Sequence, residues 1–357
     1  MATQQLARKT IIELTPYQSA RRIGGHGNIW LNANESPDSA DYPQPQLRLN
    51  RYPEFQPPEL IQAYADYSGV STDQIIAGRG ADEAIDLLIR TYCEPGIDRI
   101  VINPPTYGMY GICAKTWGVD ILEQPVDEEF NPDYSALEKI DAKLFFICSP
   151  NNPTGSLVDL DKLAKLAKSK QDKALVIVDE AYIEFSADKS AKELLSQCDN
   201  LVILRTLSKA FALAGIRCGF TLAHPDVIQM LFKTSAPYPI STPIADIATE
   251  VLTNRLGEMK QRVQTLNQIR NEFCEKLLSL EGVEHVFPAT GNFVLVRFSD
   301  PELFKEMGEQ EIVLRDFDDK PRLKRSIRIS IGNEVEMAKT LATIQKIIEK
   351  PIKEYAS

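Results

Sequence analysis

The densest concentration of chemistry in the sequence is the run TLSKAFALAGIRCG at 206–219, in which Lys209 stands among small and apolar residues. Such a lysine has two readings. It is either a core residue that carries its ammonium along an apolar stem to water, or a desolvated amine whose lowered pKa makes it a nucleophile toward a carbonyl. Three other features bear on the choice: Asp179, which closes an apolar run thirty residues earlier, the paired Asn151 and Asn152 in SPNNPTG, and Arg217, eight residues later. A buried carboxylate without a partner is costly, so Asp179 must face a cation or a protonated ring nitrogen. Together these residues describe a site for a molecule with an aldehyde, a ring nitrogen and a phosphate.

Whether those groups meet depends on the elements that carry them. From Pro58 onward helical and extended patterns alternate, with helices over 59–68 and 82–92 and strands over 74–77, 99–102, 119–124, 143–148, 174–178 and 201–206. The runs at 143–148 and 174–178 are short and continuously apolar, as in parallel strands covered on both faces. This predicts an α/β fold with a mostly parallel central sheet flanked by helices. In open sheets of this kind ligands bind outside the carboxyl ends of the strands. Here those ends are polar: the turn 78–83, SPNNPTG at 149–155, Asp179 to Tyr182, and Ser208 with Lys209. The 78–83 turn opens a helix whose free N–H groups can hold a phosphate, although a tight turn without a ligand explains it as well. A nicotinamide dinucleotide is disfavoured, because a third glycine is missing and Asn103-Pro104-Pro105 stands where an acidic residue belongs.

The texture changes after Pro243 to one long helix at about 243–280, strands at 291–297, 312–316 and 327–331, and a closing helix from 333 to about 350. Three parts follow: a Pro- and Gly-rich extended arm at 1–58, a large domain at 59–243, and a smaller α+β domain at 244–357 joined by part of the arm. Composition excludes other classes. Among 357 residues, 40 Lys and Arg against 50 Asp and Glu give a net charge of −10, the wrong sign for a nucleic-acid partner. Six scattered cysteines without a C-x-x-C pair and only three histidines argue against a metal site. The N-terminus lacks the apolar run of a signal peptide, which predicts a cytoplasmic protein with free thiols. Arg205, Lys209 and Arg217 interrupt the most apolar window, 200–223, so no membrane span is expected.

The lysine run resembles the signature of class II pyridoxal-phosphate-dependent aminotransferases, and SPNNPTG at 149–155 and VDEAY at 178–182 match the fold-type-I pattern. Within that family LTPYQSARR at 14–22, LNANE at 31–35, NRYPE at 50–54, RGADE at 79–83, PPTYGMY at 104–110 and the segment at 312–316 resemble the histidinol-phosphate aminotransferases over nearly the whole chain. The resemblance implies a homodimer that uses pyridoxal 5′-phosphate to exchange an amino group between L-histidinol phosphate and 2-oxoglutarate, with glutamate as donor in histidine biosynthesis. It implies that Lys209 holds the cofactor as a Schiff base and then moves the substrate proton, and that Asp179 faces the pyridine nitrogen. At about 4 Å and an effective dielectric near 20 that attraction is roughly 4 kcal/mol, or about a thousandfold in ring protonation.

The same resemblance implies that Asn152 and Tyr182 contact the ring's phenolic oxygen and that Tyr107 stacks on its face. Ser208, Arg217 and the backbone at Ala81 and Asp82 are implied to hold the cofactor phosphate, with Tyr52 reaching it from the other subunit. Arg328, Arg315 and Tyr17 are implied to bind the substrate phosphate, and Asn34 to line the mouth of the site. Arg322, Lys324 and Arg325 read instead as a solvated loop. Aromatic-amino-acid transamination and decarboxylation of a phospho-amino acid, both known on this scaffold, stay open as alternatives. A cofactor-sensing module of a transcription regulator would bring a basic DNA-binding segment, and none accompanies these motifs.

Overall fold

A computed structural model describes residues 3–14 and 49–349. In chain order its main elements are α1 (Pro58–Ser68), β1 (Ile75–Gly78), α2 (Ala81–Tyr92), β2 (Arg99–Ile102), α3 (Met109–Thr116), β3 (Asp120–Glu123), β4 (Leu144–Cys148), α4 (Leu160–Ser169), β5 (Leu175–Asp179), β6 (Leu201–Thr206) and β7 (Gly219–Ala223). There follow α5 (Pro225–Thr234), α6 (Thr242–Asn254), α7 (Leu256–Leu278), β8 (Val283–Val286), β9 (Phe293–Phe298), α8 (Leu303–Glu309), β10 (Arg315–Asp316), β11 (Ser326–Ser330) and α9 (Glu334–Ile348). None of the described helices is long and apolar enough to cross a membrane.

Seven strands form the central sheet in the order β1-β7-β6-β5-β4-β2-β3. Strands β6, β5, β4, β2 and β3 are parallel, while β7 runs antiparallel to both β6 and β1. Successive side chains of a strand point to opposite faces, so alternate residues enter two separate cores. Val176 and Val178 of β5 pack with Tyr64, Leu163 and Ala248 from α1, α4 and α6, whereas Leu175 and Ile177 pack with Ile85, Tyr110 and Val227 on the side of α2, α3 and α5. Five buried residues in β4, and five in β5, are what covering both faces requires. The second sheet, β10-β11-β9-β8, is antiparallel and packs against α7, α8 and α9.

The α/β class and the mostly parallel sheet agree with the sequence, but several expectations need correction. The helix expected over 243–280 is two helices, α6 and α7, broken at Arg255 (φ −122°, ψ 18°) between the poor helix formers Asn254 and Gly257. The start of the arm is not extended: Thr3–Leu6 and Lys9–Ile12 form helical turns against α5, where Lys233 Nζ donates to Ile12 O at 2.7 Å and Gln4 Nε2 to Asp226 Oδ1 at 3.0 Å. Arg322 is not merely solvated. Its guanidinium donates to Val126 O (3.1 Å), Asp127 O (2.6 Å) and Glu128 O (3.0 Å) and lies 4.5 Å over the Phe130 ring, pinning the small sheet to the loop after β3. Arg325 likewise pairs with Glu284 at 2.9 Å, while Lys324 stays exposed.

Arg205, one of three cations in the apolar run, is a structural residue on the α1 face. Its Nε donates to Glu180 Oε2 (2.7 Å), its Nη1 to Glu184 Oε1 (3.1 Å) and its Nη2 to Ser190 Oγ (2.9 Å), and all three charged side chains are buried. Removing one partner of such a network strands the others without water. Arg205→Met is therefore expected to cost about 3–5 kcal/mol of stability, read as a lower urea midpoint with an unchanged slope. A variant as stable as the parent would contradict this account.

Candidate active site

Because β1 runs in the same sense as β2, β4, β5 and β6, their carboxyl ends lie on one edge of the sheet. Antiparallel β7 starts at that edge, with Gly219 paired to both Gly78 and Thr206, so Arg217 arrives there from the opposite direction. The edge opens into a cleft of about 680 Å³. Ala81, Asp82, Tyr107, Asn152, Asp179, Tyr182, Ser208, Lys209, Arg217, Arg315 and Arg328 all line it. Tyr52 does not line this cleft: it is 49% exposed and stacked on Tyr238 at 4.4 Å. Tyr17 and Asn34 lie outside the described residues.

Asp179 ends β5 and is only 3% exposed. Tyr110 Oη donates to its Oδ2 at 2.7 Å and the Ala181 N–H to its Oδ1 at 3.1 Å. Burial pushes the carboxyl up to about 6 against the pull of those two donors. Lys209, half-buried, has its ammonium destabilised first by burial and then by Arg328, and its Nζ lies 5.4 Å from the centre of the Tyr182 ring. Of the two readings of this lysine, the desolvated amine matches its surroundings.

The paired asparagines divide their work. Asn151 braces its own turn, donating to Pro105 O (3.0 Å) and Thr154 Oγ1 (2.7 Å) and accepting from Thr106 Oγ1 (2.8 Å). Asn152 faces the cleft: its Oδ1 accepts from Arg328 Nη1 at 2.6 Å and its Nδ2 donates to Tyr182 Oη at 3.4 Å. Burial raises the Tyr182 phenol well above its ordinary value, which keeps it a neutral donor.

Opposite this wall, Arg217 adopts a left-handed backbone (φ 54°) and extends its guanidinium to Ser208 Oγ (3.4 Å) and Asp82 Oδ2 (3.2 Å). Tyr107 Oη donates to the other oxygen of Asp82 at 2.9 Å, which fixes its ring at the cleft wall. The first turn of α2 contributes free N–H groups beside them, behind Gly80 (φ 86°), where a Cβ would press 3.0 Å from Arg217 Nη2. Hydroxyl, guanidinium and helix terminus form a donor set for a phosphate.

At the far end β10 and β11 place Arg315 directly opposite Arg328. Two cations facing each other across a strand pair repel unless an anion lies between them. Among the residues sequence reasoning missed are Tyr110, which acts on Asp179, and Phe317 and Lys320, which line the cleft. Tyr110 had no legible signal, since an aromatic in an apolar helix reads as a core residue until Asp179 is brought beside it. Lys320 and Phe317 had none, because they enter the cleft from a loop.

Comparison with known proteins places these residues in context. Residues 33–344 match the family model described as aminotransferase class I and II. The chain is 54% identical over 351 residues to the histidinol-phosphate aminotransferase of Aeromonas hydrophila, covering 97% of this chain and 99% of that one. Its structure resembles that of the histidinol-phosphate aminotransferase from Clostridium acetobutylicum, with a TM-score of 0.78, 27% identity and coverage of 84% of this chain and 91% of that one. The Sinorhizobium meliloti histidinol-phosphate aminotransferase, solved with pyridoxal 5′-phosphate, shares the fold at a TM-score of 0.76 and 23% identity, with 84% and 83% covered.

The buried carboxylate gives a pH signature in the ligand-free protein. The folded chain holds the Asp179 proton up to about pH 6, the unfolded chain only to about 3.8. Its contribution is therefore most favourable below about pH 3.8, declines as pH rises to about 6 and is then constant, a loss of about 3 kcal/mol. Between pH 4 and 7, Asp179→Asn should lose about 2–3 kcal/mol less stability than the parent in urea titrations. An identical decline in both would assign the effect to other groups.

Proposed function

Because the chain belongs to the class I and II aminotransferases, we propose that it transfers an amino group between L-histidinol phosphate and 2-oxoglutarate with pyridoxal 5′-phosphate as cofactor, glutamate being the donor in the biosynthetic direction. The observation that carries the substrate is the cross-strand pair Arg315 and Arg328, two forked cations at one end of a cleft whose other end already has a phosphate cradle. Arginine forks match the oxygens of a phosphate dianion, and they serve the carboxylates of glutamate in the second half-reaction.

The residues fit the cofactor. A desolvated lysine suits its aldehyde, the buried Asp179 its ring nitrogen, Asn152 and Tyr182 its phenolic oxygen, the Tyr107 ring its face, and Ser208, Arg217 and the N–H groups at Ala81 and Asp82 its phosphate. When bound, the cofactor supplies an electron sink for the bond broken at the substrate carbon. With the cofactor bound, Lys209 Nζ would be the base that takes the proton from the substrate carbon bearing the amino group and, as the ammonium, the acid that gives it back. Its burial favours the unprotonated amine that this step needs. Asp179 would hold the ring nitrogen protonated, and the Tyr107 ring would offer its face to the cofactor.

The exposure of Tyr52 outside its own cleft suits the role of a phosphate contact for a second copy in a homodimer. The three-part division at 1–58, 59–243 and 244–357 is proposed with it, on the separate second sheet and its core, although Ala245, Ala248 and Leu252 of α6 pack into the core of the central sheet. Free cysteines suit a reducing cytoplasm.

Addition of L-histidinol phosphate to the cofactor-loaded enzyme should bleach its visible absorbance, and 2-oxoglutarate should restore it; phenylalanine at the same concentration should not bleach it. Release of carbon dioxide from a phospho-amino acid such as L-threonine O-3-phosphate would reassign the enzyme as a decarboxylase. Borohydride reduction and peptide mapping should find the cofactor on Lys209 and nowhere in Lys209→Ala. Arg328→Gln should lower kcat/KM for histidinol phosphate by roughly 100-fold, and Arg315→Gln, more exposed, by roughly tenfold. Full activity in both variants would reject the phosphate assignment.

A further inference from the structure

We propose that Tyr110 is a positioning residue for this reaction: its buried hydroxyl fixes the orientation and charge of Asp179, so that the carboxylate meets the ring nitrogen of the cofactor ready-made. The inference rests on the function proposed above. Tyr110 is the second residue of α3 and has no exposed surface. Its ring is held on two sides, stacked on Phe146 of β4 at 5.0 Å and edge-on to Tyr107 at 5.6 Å. A phenol in such a core needs a partner for its proton, and the partner is Asp179 Oδ2 at 2.7 Å, a charge-assisted bond.

Asp179 thereby has one protein donor on each oxygen, Tyr110 on Oδ2 and Ala181 N–H on Oδ1. Two donors pin the plane of the carboxyl group and leave lone pairs for the ring N–H. The donors also oppose the burial that would otherwise keep the group protonated. The other titratable groups facing Asp179 are Asp82, Glu180, Cys148, Tyr107, Tyr182 and Lys209. Asp82 and Glu180 disfavour its charge, the neutral thiol and phenols do not, and the Tyr110 bond is the side-chain contact that most opposes burial and holds the carboxylate ionised for the ring nitrogen. A ring that rests on Tyr107 and pairs with Asp179 is thus aligned by two tyrosines three residues apart, one touching the ring and one acting through the carboxylate.

The test is Tyr110→Phe, which removes one oxygen and keeps the ring. In the full-length enzyme loaded with pyridoxal 5′-phosphate, the cofactor dissociation constant should rise roughly tenfold and kcat fall roughly 10- to 100-fold. KM for histidinol phosphate, set at the arginine end, should change less than threefold. The pH at which the bound cofactor changes its absorbance should move, and in an Asp179→Asn background the same substitution should produce no further shift. Phe146→Leu, which loosens the packing but spares the hydroxyl, should lower the melting temperature and leave the absorbance titration in place. Tyr110→Phe indistinguishable from the parent in affinity, kcat and titration overturns the inference, as does a Phe146→Leu enzyme with the same spectral shift. A parent enzyme that binds no cofactor at Lys209 would fail the proposed function instead.

Discussion

An ionised carboxylate at the closed end of a buried parallel strand is the constraint around which the rest of the site is arranged. Taking Asp179 out of water raises its carboxyl to about 6, a penalty of about 3 kcal/mol at neutral pH. An opposing charge at about 4 Å and an effective dielectric near 20 returns roughly 4 kcal/mol. The attraction slightly exceeds the penalty, so a cationic ring beside this carboxylate would be favoured. Two donors, from Tyr110 and Ala181, keep the balance from tipping to the neutral acid.

The next residue makes the contrast. Glu180 is equally buried, but strand alternation sends it to the opposite face of the sheet, where Arg205, Ser190 and the Ala191 N–H satisfy it. Two adjacent acids thus have opposite fates: one is neutralised inside the protein and the other is left open to a ligand. The three cations of the apolar run divide in the same way. Arg205 completes a structural network, while Lys209 and Arg217 come after β6 and before β7 and emerge at the ligand edge.

Strands read from continuous apolar runs were legible, because burial on both faces leaves little sequence freedom; β4, β5 and β6 lie within a residue of their expected bounds. The site was legible where a residue type is unusual for its surroundings, as with Lys209 and Asp179. What the sequence hid is mostly partnership. The antiparallel strand β7 lies inside the same apolar window as the lysine run and has no turn signal of its own, so the direction from which Arg217 arrives is a tertiary fact. Arg322 and Tyr110 look respectively like a loop cation and a core aromatic until Asp127 and Asp179 are brought beside them. The break at Arg255 carries no proline, and the flanking Asn254 and Gly257 weaken a helix without dictating where it ends.

The small sheet must also be held in register with the catalytic edge, and polar contacts do this. A guanidinium has no acceptor, so the bond from Arg328 fixes Asn152 with its Oδ1 toward the arginine and its Nδ2 toward Tyr182. The orientation of this cleft-lining amide is therefore set by the arginine on β11. A second tie joins the turn after β4 to the β8–β9 connection: Thr290 Oγ1 donates to Gly155 O, and Ser186 Oγ donates to Thr290 O at 2.9 Å. Gly155 has φ +72°, and a Cβ there would run into the Pro288 backbone. The approach is close enough that only glycine fits. With five donors, Arg328 can hold Asn152 and an anion shared with Arg315 at once, so on the proposed roles a filled substrate end would leave the amide in place. In those roles, the arginine that would select the phosphate would also keep the amide aligned.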